Sequence, residues 1–156
     1  MVREECGSEL IEFALCGSLL LTILFGLMGC SLALYSYHYC AQMAREATRY
    51  AAVRGSTWTG TSCATTTTYA CAATAANVAS FVTSITPLGF SATNLTVATT
   101  WPGTTATGLA CNITNGTNSP DCIVNVKVTY TFSYAMPFMS QTPLTLSSTS
   151  NLVITQ

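Results

Sequence analysis

Between Phe13 and Ala44 the chain carries no Asp, Glu, Lys or Arg, and residues 13–37 (FALCGSLLLTILFGLMGCSLALYSY) are apolar or small all round a helix. A bilayer core of about 30 Å needs about 20 such residues, so this run predicts a membrane-crossing helix. Proline is absent before Pro87, and good helix formers continue through Ala41, Met43, Ala44, Ala47, Ala51 and Ala52. The spacing predicts one helix from Ser8 to Arg54, about 70 Å long, with Gly55 as its C-cap. Only its first half fits in lipid. In the second half Tyr39, Met43, Ala47 and Tyr50 recur at helical spacing, while Gln42, Arg45, Glu46 and Arg49 take the other side. Glu46 and Arg49 are spaced to pair. The apolar stripe has two readings: the seat of the following domain, or a face covered by neighbouring subunits.

After Gly55 the pattern changes. Residues 56–70 form a Thr/Ser/Gly-rich linker around Trp58, and residues 72–85 predict a second, weaker helix with Val78, Phe81, Val82 and Ile85 on one face and Pro87 as its stop. Three period-two segments follow. Leu95, Val97, Thr99 and Trp101 alternate with polar or small neighbours, and Cys122, Val124, Val126, Val128, Tyr130 and Phe132 alternate with Asn125, Lys127, Thr129 and Thr131. The last, less apolar, runs through Leu144, Leu146, Ser148, Ser150, Leu152 and Ile154. Alternation means one buried and one wet face. The predicted fold is α+β: a long N-terminal transmembrane α-helix, then a small domain with a second helix and an antiparallel sheet of about three strands. The Tyr39/Met43/Tyr50 stripe and the second helix are the natural cover for the buried face.

Composition sharpens this picture. Charged residues are only 7% of 156 and mean hydropathy is +0.43, far from a soluble domain in which about a quarter are charged. The net charge of −1 argues against nucleic acid as a partner, because phosphate binding needs clustered Lys and Arg. Cys16, Cys30 and Cys40 suit packing in or beside the apolar run. Cys63, Cys71, Cys111 and Cys122 lie in the polar region and favour two disulfides in an oxidising compartment. Three connectivities are open, and we expect the local one, Cys63 with Cys71 and Cys111 with Cys122. A zinc site is disfavoured by gaps far wider than the usual C-x(2–4)-C pairs, so neither metal nor cofactor is expected.

Glu12 is the residue most in need of an explanation. A carboxylate at membrane depth costs about 2.5 to 3.5 kcal/mol on insertion scales and usually has a designated partner. Near the start of a helix it also meets the positive end of the helix dipole. The plainer reading is that it snorkels to the headgroups. The charged residues before it, Arg3, Glu4 and Glu5, do not begin a secretory signal peptide, since the apolar run behind them is too long and ends in no small-residue cleavage site.

Gly7-x-x-x-x-Glu12-Phe13 before an apolar helix resembles the cleavage signal of type IV-like prepilins. The run Ala44-Arg45-Glu46-Ala47-Thr48-Arg49-Tyr50-Ala51-Ala52 resembles the signature of TadE-like pseudopilins of the tight-adherence (Flp) pilus machinery. Val-Thr-Tyr-Thr-Phe at 128–132 and Leu-Thr-Leu-Ser-Ser-Thr-Ser at 144–150 resemble that family's terminal strands. The resemblance implies a leader over residues 1–7, removed by a prepilin peptidase that cuts between Gly7 and Ser8. A rod over 8–55 follows, membrane-spanning at about 13–37 and extracytoplasmic at 38–55, and then an extracytoplasmic head over 56–156. It further implies assembly through Glu12, Arg45, Glu46, Arg49 and Tyr50, with other pilins, the assembly platform and further copies as partners. A newly exposed amine on an adjacent subunit would neutralise Glu12 and set the stagger between rods.

The positive-inside tendency by itself would put the C-terminal domain in the cytoplasm, because Arg45, Arg49 and Arg54 follow the apolar segment. Paired cysteines and the resemblance favour the opposite orientation: anchored in the bacterial inner membrane with the head outside, and later in a pilus or at the cell surface. Catalysis is not expected. His38 is the only imidazole and lies just past the membrane, Asp121 is the only acid after Glu46, and Ser and Thr have no base to activate them. The expected function is that of a minor pseudopilin in Flp pilus assembly. Two alternatives remain open: a single-pass anchor displaying a disulfide-stapled binding or adhesin domain, and the main filament subunit.

Overall fold

A computed structural model of the chain describes residues 6–56, 58, 73–105, 108, 110–111, 119–133 and 142–155. The elements are α1 (Cys6–Val53), α2 (Ala75–Ser84), a 3-10 turn (Ala92–Asn94), β1 (Leu95–Thr100), β2 (Ile123–Phe132) and β3 (Leu144–Val153). The α+β arrangement expected from the patterning is present.

The 48 residues of α1 form a continuous rod about 72 Å long. Its second half is the floor of the head. Tyr39, Met43, Ala44, Ala47, Thr48, Tyr50 and Ala51 are buried beneath the sheet and α2, so the stripe is a seat for the chain's own domain. The rod ends where expected, but Gly55 is buried and is not among the left-handed glycines, which here are Gly89, Gly103 and Gly108. The expected left-handed cap is not formed.

The three strands form an antiparallel sheet in the order β1-β2-β3. Val128 is opposite both Val97 and Ser148, and Tyr130 opposite both Leu95 and Leu146. Val124, Val126, Val128 and Tyr130 of central β2 face the rod and are buried. β1 stops at Thr100 because Pro102 follows and has no N–H for a ladder. Strand β3 runs alongside α1 in the same direction. The Cys40 thiol lies 3.9 Å from the Leu146 carbonyl, the Thr48 hydroxyl donates to the Ser150 carbonyl at 3.2 Å, and the Thr155 N–H donates to the Ala52 carbonyl at 3.1 Å. Eight helical residues and four strand residues both advance about 12 to 13 Å, so the two elements keep step from the first contact to the second. The helix presents Ala44, Ala47, Thr48 and Ala51, and β3 presents Ser148 and Ser150, so the backbones can come close. Leu144 and Leu152, expected inside, are 38% and 44% exposed at the two ends of the strand.

Helix α2 begins at Ala75, three residues later than its composition suggested, because the Thr74 side chain caps it by accepting from the Asn77 N–H at 3.2 Å. It ends at Ser84, before the residues that Pro87 bars from helix. Val78 and Val82 are buried as expected, whereas Ile85 lies past the last turn and is 37% exposed.

The β1–β2 connection is closed by the Cys111–Cys122 disulfide and by a bridge between Thr104 and Ala110. Asp121 takes a left-handed conformation (φ 71°), which an Asp tolerates better than most residues, and this turns the chain into β2. Cys63 and Cys71 lie outside the described residues, so that expected pair stays an expectation. Reducing Cys111–Cys122, or replacing both with Ser, is expected to lower stability by about 3 kcal/mol, the loop-closure value for a short loop. Denaturant midpoints with and without reductant check this.

Candidate assembly surface

The described residues of the head cover one side of the distal half of α1 and leave the other open. Along that open side Gln42, Arg45 and Arg49 are exposed and Glu46 is half-buried. Three cavities follow the ridge. One of about 310 Å³ lies among Tyr35, His38, Tyr39, Ile85 and Pro87, and one of about 370 Å³ among His38, Gln42, Arg45 and Glu46. The third, of about 520 Å³, is lined by Glu46, Arg49, Tyr50, Arg54, Phe81 and Ser84. The third lies between α1 and α2, the first between α1 and the residues just past α2, and the second on α1 alone. Glu46 and Arg49 do not form the ion pair their spacing suggested: among the described residues none joins them, and they stand instead on the wall of the third cavity.

Aromatic layers build the floor. Phe81 of α2 stacks on Tyr50 at 4.3 Å and 11°, and the Arg54 guanidinium lies 4.4 Å from the Tyr50 ring centre and 5.4 Å from that of Trp58. Such stacked and cation–π contacts are worth about 0.5 to 1.5 kcal/mol each. At the membrane-proximal end Tyr39 stacks on Phe90 at 4.1 Å, and its hydroxyl is 3.0 Å from that of Thr86. Burial pushes the Tyr39 phenol above its ordinary range, with the Thr86 hydrogen bond opposing it, so the residue acts as a neutral strut. Burial likewise pushes the Cys40 thiol up, as suits a packing cysteine.

Toward the N-terminus the rod is bare. Leu10, Ile11, Phe13, Leu15 and Leu19 are each at least 64% exposed, and no described residue of the head covers them. This stretch is long and apolar enough to cross a membrane. Gly7, Ser8, Glu12 and Phe13 lie exposed in its first turns, and α1 runs unbroken across the Gly7–Ser8 bond. The candidate residues thus form two groups: Arg45, Glu46, Arg49 and Tyr50 on one ridge, and Gly7 to Phe13 about 50 Å away along the axis. Phe81 and Arg54 belong to the ridge site and were not expected there. Arg54 follows Tyr50 by four residues, a spacing that places the two together, whereas nothing local announces Phe81.

No curated protein and no solved structure matches the chain. Residues 7–49, which include the exposed apolar rod and most of the ridge, match the family model described as TadE-like protein, so the similarity to that family lies in the N-terminal helix of this chain.

Proposed function

We propose that this protein is a minor pseudopilin, processed by a prepilin peptidase between Gly7 and Ser8, that takes part in assembling a Flp pilus by associating with other pilins and with copies of itself. The observation that carries the reading is an apolar rod exposed on every side through its first half, with Glu12 near its start, inside a TadE-like segment. Such a surface must be covered, first by lipid and then by neighbouring rods. The apolar helix and the pilus-family match together point to membrane anchoring, and we place the head on the extracytoplasmic side, where the Cys111–Cys122 disulfide would persist. The TadE-like family is not known as enzymatic, and the role proposed is association.

Gly7 supports the processing step. A side chain there would meet nothing within 4 Å, so packing in this fold does not require glycine. Glycine weakens a helix by about 1 kcal/mol relative to Ala, which eases unwinding of the first turn into an extended, cleavable form. Intact-mass measurement of the chain from cell envelopes should show loss of residues 1–7 and a Ser8 terminus. A chain that retains Met1 would favour a permanent single-pass anchor. Because the chain carries a folded head packed on the distal half of the rod, a minor role is preferred to that of main filament subunit, and a chain dominating sheared filaments would reverse that preference.

A further inference from the structure

Glu9 has no role in this reading. It is exposed in the first turn of α1, and Arg45 and Arg49 are exposed on the ridge with no ion pair among the described residues. Glu9 and Arg45 are 36 residues apart, ten turns of an α-helix, and therefore lie on the same side of the rod about 54 Å from each other. Phe13 follows Glu9 by one turn and, at 77% exposed, is the barest aromatic residue on α1. On the ridge the 520 Å³ cavity, walled by Tyr50 and Phe81, opens one turn beyond Arg45, beside Arg49. A carboxylate followed by an aromatic ring thus matches a guanidinium pair followed by an aromatic cavity, with the same spacing and direction.

We propose that the ridge at Arg45 and Arg49 receives the N-terminal turn of a second copy of this chain, with Glu9 meeting the two guanidinium groups and Phe13 entering the cavity beside Tyr50 and Phe81. The proposal rests on the self-association read above and adds its register, an axial offset of about 54 Å between parallel rods. Two copies embedded side by side in a membrane hold Glu9 at equal depth and cannot form this contact. It belongs to the assembled state, in which one copy has been drawn outward. Anionic lipid is a weaker fit for the arginines. Arg45 lies about 12 Å and Arg49 about 18 Å beyond Tyr37 along the helix, whereas the headgroup layer is only about 5 to 8 Å thick on each side. Charge complementarity is therefore better met by a carboxylate carried on another rod.

The test uses the full chain in envelopes of cells with an active pilus system, with Gln42 replaced by the photo-reactive residue benzoyl-phenylalanine. After irradiation and chymotryptic digestion, mass spectrometry should find position 42 joined to a peptide within residues 8–13. Those positions are more than about 40 Å apart in one rod, so the adduct must join two copies. R45E/R49E should reduce the adduct at least tenfold, and adding E9K should restore it to within about threefold, a rescue that a merely structural role for the arginines would not produce. Adducts only with lipid, with another protein or with other parts of the chain overturn the proposal, as does an adduct indifferent to R45E/R49E. The N-terminal mass of the same material reports separately on processing, so a Ser8 terminus without the adduct sinks the docking alone.

Discussion

Replacing Glu12 with Ala is expected to leave the chain in the membrane fraction and to reduce its recovery with assembled pili at least tenfold. The two effects have opposite signs for one physical reason. A carboxylate near the start of a membrane helix opposes insertion by up to about 2.5 to 3.5 kcal/mol, so its removal makes membrane residence easier. The same desolvation cost makes the carboxylate seek a counter-charge when lipid is replaced by neighbouring rods, and a positive group held there fixes one axial offset among many equally greasy ones. Apolar side chains such as Leu10, Ile11 and Leu15, all exposed on this rod, provide adhesion without register. Fractionation of sheared pili and membranes, with total protein matched, measures both effects. An undiminished pilus fraction in E12A would remove Glu12 from the mechanism, and E12D, which keeps the charge on a shorter arm, should fall between the two.

The second large effect is expected from Tyr50→Ala. Tyr50 is 6% exposed, stacks on Phe81 and supports the Arg54 guanidinium, so it joins the rod to α2 and to the segment that leaves the rod. Truncating a buried aromatic residue costs about 3 to 5 kcal/mol. Against a total stability of about 5 to 15 kcal/mol for an ordinary domain, that is enough to loosen the head on its seat. The chain should remain in the membrane, since residues 13–37 are untouched, while thermal unfolding of the head shifts down and proteolysis in the 54–75 region rises. Tyr37→Ala, at a residue 48% exposed on the same helix, should change stability by no more than about 0.5 kcal/mol. Equal effects from the two substitutions would show that the seat contributes little.

The elements were legible in the sequence because each had a strong local signal. A charge-free run, an absence of proline until Pro87 and period-two alternation around Val124, Val126 and Val128 are local properties, and they located α1 and all three strands to within two residues. The misplaced features were those decided by contact or by caps. Helix α2 starts where Thr74 can cap it, β1 stops before Pro102, and Ile85 and Leu152 turn outward at element ends where no described residue covers them. Glu46 and Arg49 were adjacent on paper yet line a cavity without joining.

The candidate site was legible only in part for a similar reason. Arg45, Arg49 and Tyr50 lie within one helix, so their shared ridge follows from 3.6-residue periodicity alone. That Phe81 closes the cavity against Tyr50, and that Arg54 is layered between Tyr50 and Trp58, required the chain to return to the rod after leaving it.

By itself the amino-acid sequence determined a rod with an apolar, charge-free half and an amphipathic half, a sheet with one apolar face, and a carboxylate near the lipid end, because these depend on composition and period within single elements. Tertiary structure alone decided that the amphipathic stripe is consumed by the chain's own head, since two faces become partners only when the sheet folds back over the helix. Among the described residues, that choice leaves the Arg45/Arg49 ridge and the bare first half of α1 exposed.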